Sequence, residues 1–218
     1  MKGINRRVDI PTEQTTAVTD LILAVLAAGG AVYLHRIGAR PRWKANLWIA
    51  VMAFLAAAAA LGAVVHGFQM DPGLRALLWH PIKLALGLLV AFFVVAAVYD
   101  IWGEPAARRA LPAMLVVGAG FFGVTLIWPQ QFLVFIVYET LAMLFALAGY
   151  TWLACRGRLK GAWLMAGGIL TSIAAAGVQA GRLLAFTLIW PLDHNGVYHL
   201  IQMIGTVLIL AGLRRDLR

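Results

Sequence analysis

Seven long apolar runs constrain this chain more than any other feature of its sequence. They cover approximately residues 17–35, 46–67, 80–102, 110–128, 130–154, 162–189 and 195–213. A bilayer core about 30 Å thick is crossed by about 20 apolar residues in a helix, and each run is close to that length or beyond it. The runs are continuous and rich in Ala and Leu, with none of the alternation of a barrel strand. The connections carry turn or helix-start residues, as in "ARPR", "MDPG", "GEPA", "WPQQ", "CRGR" and "WPLD". With 62% hydrophobic and 12% charged residues, the chain is more apolar than a soluble fold of 218 residues can hide. The expected fold is all-α: one polytopic membrane domain, residues 1–218, with seven transmembrane helices.

Charge sets the expected orientation. Arg36, Arg40, Arg42, Lys44, Arg108, Arg109, Arg156, Arg158, Lys160, Arg214, Arg215 and Arg218 all fall on one side of seven spans. The other side has Lys2, Arg6, Arg7 and Arg75. The positive-inside rule then places the N-terminus outside and the C-terminus in the cytoplasm, in a plasma or bacterial inner membrane. The polar N-terminal segment precedes a first run too long and too late for an ordinary signal peptide, so that run is read as a span. The net charge of +9 is spread over short separate loops. That is the pattern of loop anchoring, and it excludes a nucleic-acid stripe. The single cysteine, Cys155, forms no internal disulfide and supports no cysteine metal site. The alanine run 56–60 and the glycines of spans four and six read as close helix packing. The tryptophans, Trp43, Trp48, Trp79, Trp102, Trp128, Trp163 and Trp190, mostly fall near span ends, as an aromatic belt.

The ionisable residues are unevenly placed. His35 sits at the far end of span one. His66 ends span two, His80 opens span three ahead of Pro81, and His194 and His199 open span seven. Four histidines from three distant spans thus share one level, as a metal-binding or proton-handling site requires. Each alone is more simply an interfacial histidine. Asn195 and His199 lie one turn apart on one helical face, with Tyr198 beside them and Gln202 continuing it. Asp193 or Asn195 would cap the helix, and Asp193 would also serve to orient an imidazole. Gly62, one turn before His66, would open space beside that ring. Glu139 and Arg182 fall deep within spans five and six, where an unpaired charge is expensive, so a buried ion pair is expected. Asp20 and Asp71 would join the histidine level or be solvated. Asp100 is expected to pair with Arg108 or Arg109.

Seven spans, a histidine ending span two and "NGVYHLIQMIG" opening span seven resemble the superfamily of alkaline ceramidases and adiponectin-receptor-like proteins. These are seven-helix membrane hydrolases or presumed hydrolases. The resemblance implies a zinc site made by a span-two histidine and an H-x-x-x-H pair in span seven. A Ser four residues before the first histidine and an Asp early in span three complete the family's pattern. His66 and His199 match, as do Leu200 and Gly205 of the "H-L…G" run. Asn195 stands at the first histidine of the pair, with His194 displaced by one. Gly62 stands at the serine, and His80 and Lys83 occupy the region of the aspartate.

The resemblance implies zinc held by His66, His199 and either His194 or His80, with water in the fourth position. Asp71 or Asp193 would then be the general base. The substrate would be a lipid amide or ester entering from the bilayer, and membrane lipids would be the partners. No Ser or Cys beside a base suggests a serine-type hydrolase. The competing expectation is a non-enzymatic receptor, carrier or partner subunit with a histidine-rich ligand or pH-sensing site. Span seven has no lysine for a retinal Schiff base, and no inverted repeat suggests a transporter.

Overall fold

A computed structural model describes residues 6–128, 132–187 and 189–217. Seven helices carry the described chain: α1 (Pro11–Arg36), α2 (Arg42–Gly67), α3 (Pro72–Trp102), α4 (Glu104–Ile127), α5 (Phe132–Cys155), α6 (Ala162–Gly181) and α7 (His194–Asp216). All seven are long and apolar enough to cross a membrane. Four two-residue strands accompany them: β1 (Arg6–Arg7), β2 (Phe68–Gln69), β3 (Phe186–Thr187) and β4 (Pro191–Leu192). β1 pairs with β2, and β3 with β4, both antiparallel.

Local chemistry explains the ends that differ from expectation. α3 begins at Pro72 and not near His80, because Asp71 caps it, accepting from the Gly73 N–H at 2.8 Å. Proline suits that first turn, whose N–H has no helical acceptor. Pro81 therefore lies inside the helix. Gly103, at φ 88°, ends α3 and starts α4 without a linker. α6 stops at Gly181, eight residues before the expected end, because Arg182 turns left-handed at φ 50°. The apolar residues that follow form the β3–β4 hairpin.

Sequence neighbours pack side by side from α1 to α4 and from α5 to α7, α7 returns to α1, and α3 joins α5. Small residues set the closest approaches. A Cβ on Gly168 would lie 2.7 Å from the Gly205 carbonyl oxygen, and one on Gly87 would lie 2.8 Å from that of Gly118. Gly118 of span four and Gly168 of span six are thus seam positions, whereas a Cβ on Gly120, Gly123, Gly167 or Gly177 would meet no described neighbour within 4 Å. The largest apolar cluster joins the end of α1, the starts of α2 and α6 and the ends of α3, α5 and α7 around Trp48, Tyr150, Met165 and Leu213. Trp48 is fully buried there, so it does not belong to an aromatic belt. At the opposite end the apolar clusters are smaller and separate.

Candidate functional site

That loosely packed end contains a cavity of about 110 Å³. Its polar wall comes from Asp20, His66, Gln179, Asn195, Tyr198 and His199, and its apolar wall includes Leu23, Leu55, Trp79, Ile82, Leu86 and Phe135. The first helix supplies half of the chemistry. Glu13, Thr16 and Asp20 follow one another at spacings of three and four, which places them on one face, and each meets a polar group of another helix.

Glu13 Oε2 accepts from His66 Nδ1 at 2.7 Å, and this pair is part-exposed, with side chains 31% and 18% accessible. Thr16 donates to Asp193 Oδ1 at 3.2 Å. Asp20 Oδ1 lies 3.2 Å from His199 Nε2, with side chains only 7% and 9% accessible. The other ring nitrogen, Nδ1, lies 3.0 Å from Thr19 Oγ1. Thr19 donates its one hydroxyl proton to the Thr16 carbonyl at 2.9 Å, so Oγ1 is the acceptor for Nδ1–H. Nε2 and the Asp20 carboxyl group then hold one proton between them. This hydrogen-bond chain fixes both the ring and its tautomer.

Gly62 has a different use from the one its sequence suggests. A Cβ there would lie 2.8 Å from Asp20 Oδ2, so the glycine makes room for a carboxylate and not for the His66 ring. His66 instead meets Trp79 edge-on at 6.2 Å. Gln179 donates to Asn195 Oδ1 at 3.2 Å across the base of the hairpin, tying α6 to α7.

The structure brings His66, His199, Asn195 and Tyr198 to one cavity. Other candidates fall elsewhere. Asp193 is the N-cap of α7, where Oδ1 accepts from the Asn195 and Gly196 N–H groups. Asp71 is the exposed cap of α3 and does not line the cavity. Neither is placed as a general base. His194 opens α7 and does not line the cavity. Nor does His80, because the face of α3 turned to the cavity runs through Trp79, Ile82 and Leu86. Gln202 lies outside the cavity wall, and its carbonyl accepts from Thr206 at 2.9 Å.

The expected Glu139–Arg182 pair is absent among the described residues. Arg182 is the exposed cap residue beyond α6, whereas Glu139 lies within α5. Among the described residues no three His, Cys, Asp or Glu side chains come together to hold a metal ion. The set of three imidazoles that the resemblance implies is not assembled, and both nitrogens of His199 already have protein partners.

A second polar cluster lies at the opposite end. Lys44 pairs with both Asp100 and Asp216, and Tyr150 donates to Asp100 at 2.7 Å. Lys44 and Asp100 are almost fully buried. Asp100 therefore does not pair with Arg108 or Arg109, because Lys44 from α2 reaches it inside the bundle. Arg108 pairs with Glu104 at 2.6 Å and stacks on Trp43. Sequence reading counted Lys44 as a loop charge. The only signal of its burial is the apolar sequence that follows it.

Seven helices long and apolar enough to cross a membrane mark a multi-pass membrane protein. The chain belongs to DUF6962, a family of unknown function, which it matches over residues 15–218. No curated protein and no solved structure matches it.

Proposed function

We propose that this protein is an integral-membrane hydrolase acting on an amide or ester of a lipid-like molecule, with Asp20 and His199 as its acid–base pair. The observation that carries the reading is the buried Asp20–His199 contact on the wall of a cavity between membrane helices. Ionisable groups placed within membrane segments are costly, and their usual justification is function. The meeting of His66 and His199 at one cavity also supports the likeness to the ceramidase and adiponectin-receptor superfamily. The zinc set of that superfamily does not fit the side chains present, so the chemistry is assigned to the protein's own acid and base.

The reaction balances as follows. Asp20 takes a proton from water as the water oxygen bonds to the substrate carbonyl carbon. His199 gives its Nε2 proton to the leaving nitrogen or oxygen as that bond breaks. The proton on Asp20 then passes to Nε2 and restores the pair. Asn195, Gln179 and Tyr198 offer polar contacts for the carbonyl oxygen. The charge distribution supports an outside N-terminus, which puts this site near the outer face of a plasma or bacterial inner membrane.

The cavity's small volume favours a second reading: a non-enzymatic binding site for a small polar ligand. At about 110 Å³ it holds a few waters, or a carbonyl head without its acyl chain. Incubation of the protein in nanodiscs with N-acyl and O-acyl lipids in ¹⁸O-water separates the two. Labelled fatty acid released by wild type and not by His199→Gln supports the hydrolase. No release from any amide or ester sinks it and leaves the binding reading. Metal analysis of the same preparation is expected to give less than stoichiometric zinc. One zinc per chain, lost in His66→Ala and in His199→Ala, would instead restore the metal reading.

A further inference from the structure

The hairpin between α6 and α7 exposes a surface that neither the packing nor the cavity uses. Its sequence from Leu183 to Trp190, "LLAFTLIW", contains no charged residue. The two strands meet different surroundings. β4 packs on α1 and α7, and its Leu192 is 8% accessible. Leu183, Phe186, Ile189 and Trp190 are exposed, Ile189 to 77%. The other strand pair at this end is exposed less strongly: Phe68 of β2 is 39% accessible, against 77% for Ile189 and 66% for Trp190.

Position and charge say what covers it. A hairpin joined at both ends to membrane spans is held at the bilayer boundary, where exposed Trp, Phe and Ile side chains are stable among lipids. Arg182, at the foot of the hairpin, is exposed and has no carboxylate partner among the described residues. An apolar lip beside a lone guanidinium matches a phospholipid, with acyl chains for the side chains and phosphate for the arginine.

We propose that the β3–β4 hairpin lies within the lipid headgroup region of the leaflet at this end. Leu183, Phe186, Ile189 and Trp190 contact acyl chains there, and Arg182 holds a lipid phosphate. The base of the hairpin is the Gln179–Asn195 bridge on the cavity wall, so a lipid bound here stands next to the cavity. The inference depends on the hairpin's surface and not on the chemistry of the cavity.

Spin labelling tests it on the full chain in nanodiscs of phosphatidylcholine with and without phosphatidylglycerol. In a Cys155→Ala background, a nitroxide at Ile189→Cys is expected to be more accessible to oxygen than to a nickel chelate. A label at Arg156→Cys, on an exposed loop, is the aqueous reference. Leu183→Cys carries the same expectation should the first variant misfold. A reading at either site equal to the aqueous reference overturns the proposal. So does dipolar broadening between labels, which would place a second copy of the chain on the hairpin. Arg182→Gln is expected to retain several-fold less phosphatidylglycerol in native mass spectrometry, and unchanged retention removes the phosphate contact.

Discussion

The two ends of this bundle use ionisable groups in opposite ways. At one end Lys44 is enclosed by Asp100, Asp216 and Tyr150, within the largest apolar cluster. At the other, Glu13–His66 and Asp20–His199 border a cavity, among smaller apolar clusters. A charge sealed among partners and close-packed side chains can hold helices in register, but it meets no substrate. An ionisable pair beside a cavity packs less well and can be reached. Under the proposed function, the Lys44 end serves stability and the Asp20 end serves chemistry.

The largest effect that would sharpen this contrast is expected from Lys44→Met. It leaves two carboxylates facing each other without a cation, and loss of one partner from a buried pair costs about 3–5 kcal/mol. Unfolding in detergent should show this as a steep fall in stability or as failure to fold. A stable Lys44→Met protein would remove the structural role of that end. Gly168→Val comes next, because it drives a side chain into the Gly205 carbonyl, and overpacking costs about 1–3 kcal/mol. Equal stability to wild type would show that the α6–α7 seam is looser than described. Asp193→Ala removes the α7 cap, worth about 1 kcal/mol. It should lower stability modestly while leaving turnover within a few-fold of wild type. Loss of turnover in a folded Asp193→Ala protein would return the general-base role to this residue. Asp20→Asn should have the smallest effect on stability of the four, because Asn retains the shape and a hydrogen bond to His199.

The seven helices were legible in the sequence because span length and apolar composition are properties of continuous segments. Their ends were less so. Asp71 and Pro72 start α3 well before the apolar run that marks it, and Arg182 stops α6 inside an apolar stretch. Apolar residues that lie at the membrane boundary and those that lie inside it read alike, so the sequence predicts helix up to residue 189, where the hairpin stands. Of the site, His66 and His199 were legible from shared level, and Asn195 from its helical spacing to His199. Of α1, Asp20 was legible as a candidate for that level, but Glu13 and Thr16 were not, since they resemble a solvated helix start until α2 and α7 are packed beside them. The spacing of three and four along Glu13, Thr16 and Asp20 was the available signal. Gly62 was a clue to the same neighbour, as an absent side chain marks where another residue enters. The Lys44 cluster depends on four separate helices, and no local pattern announces it.

The central claim is that Asp20 acts on a substrate while the Lys44 cluster holds the fold. The most direct test is the rate of labelled fatty-acid release by Asp20→Asn in ¹⁸O-water, measured on protein with a wild-type unfolding midpoint. Loss of one acid–base partner predicts a fall of about 100-fold or more. A folded Asp20→Asn protein that releases fatty acid at the wild-type rate would contradict the account.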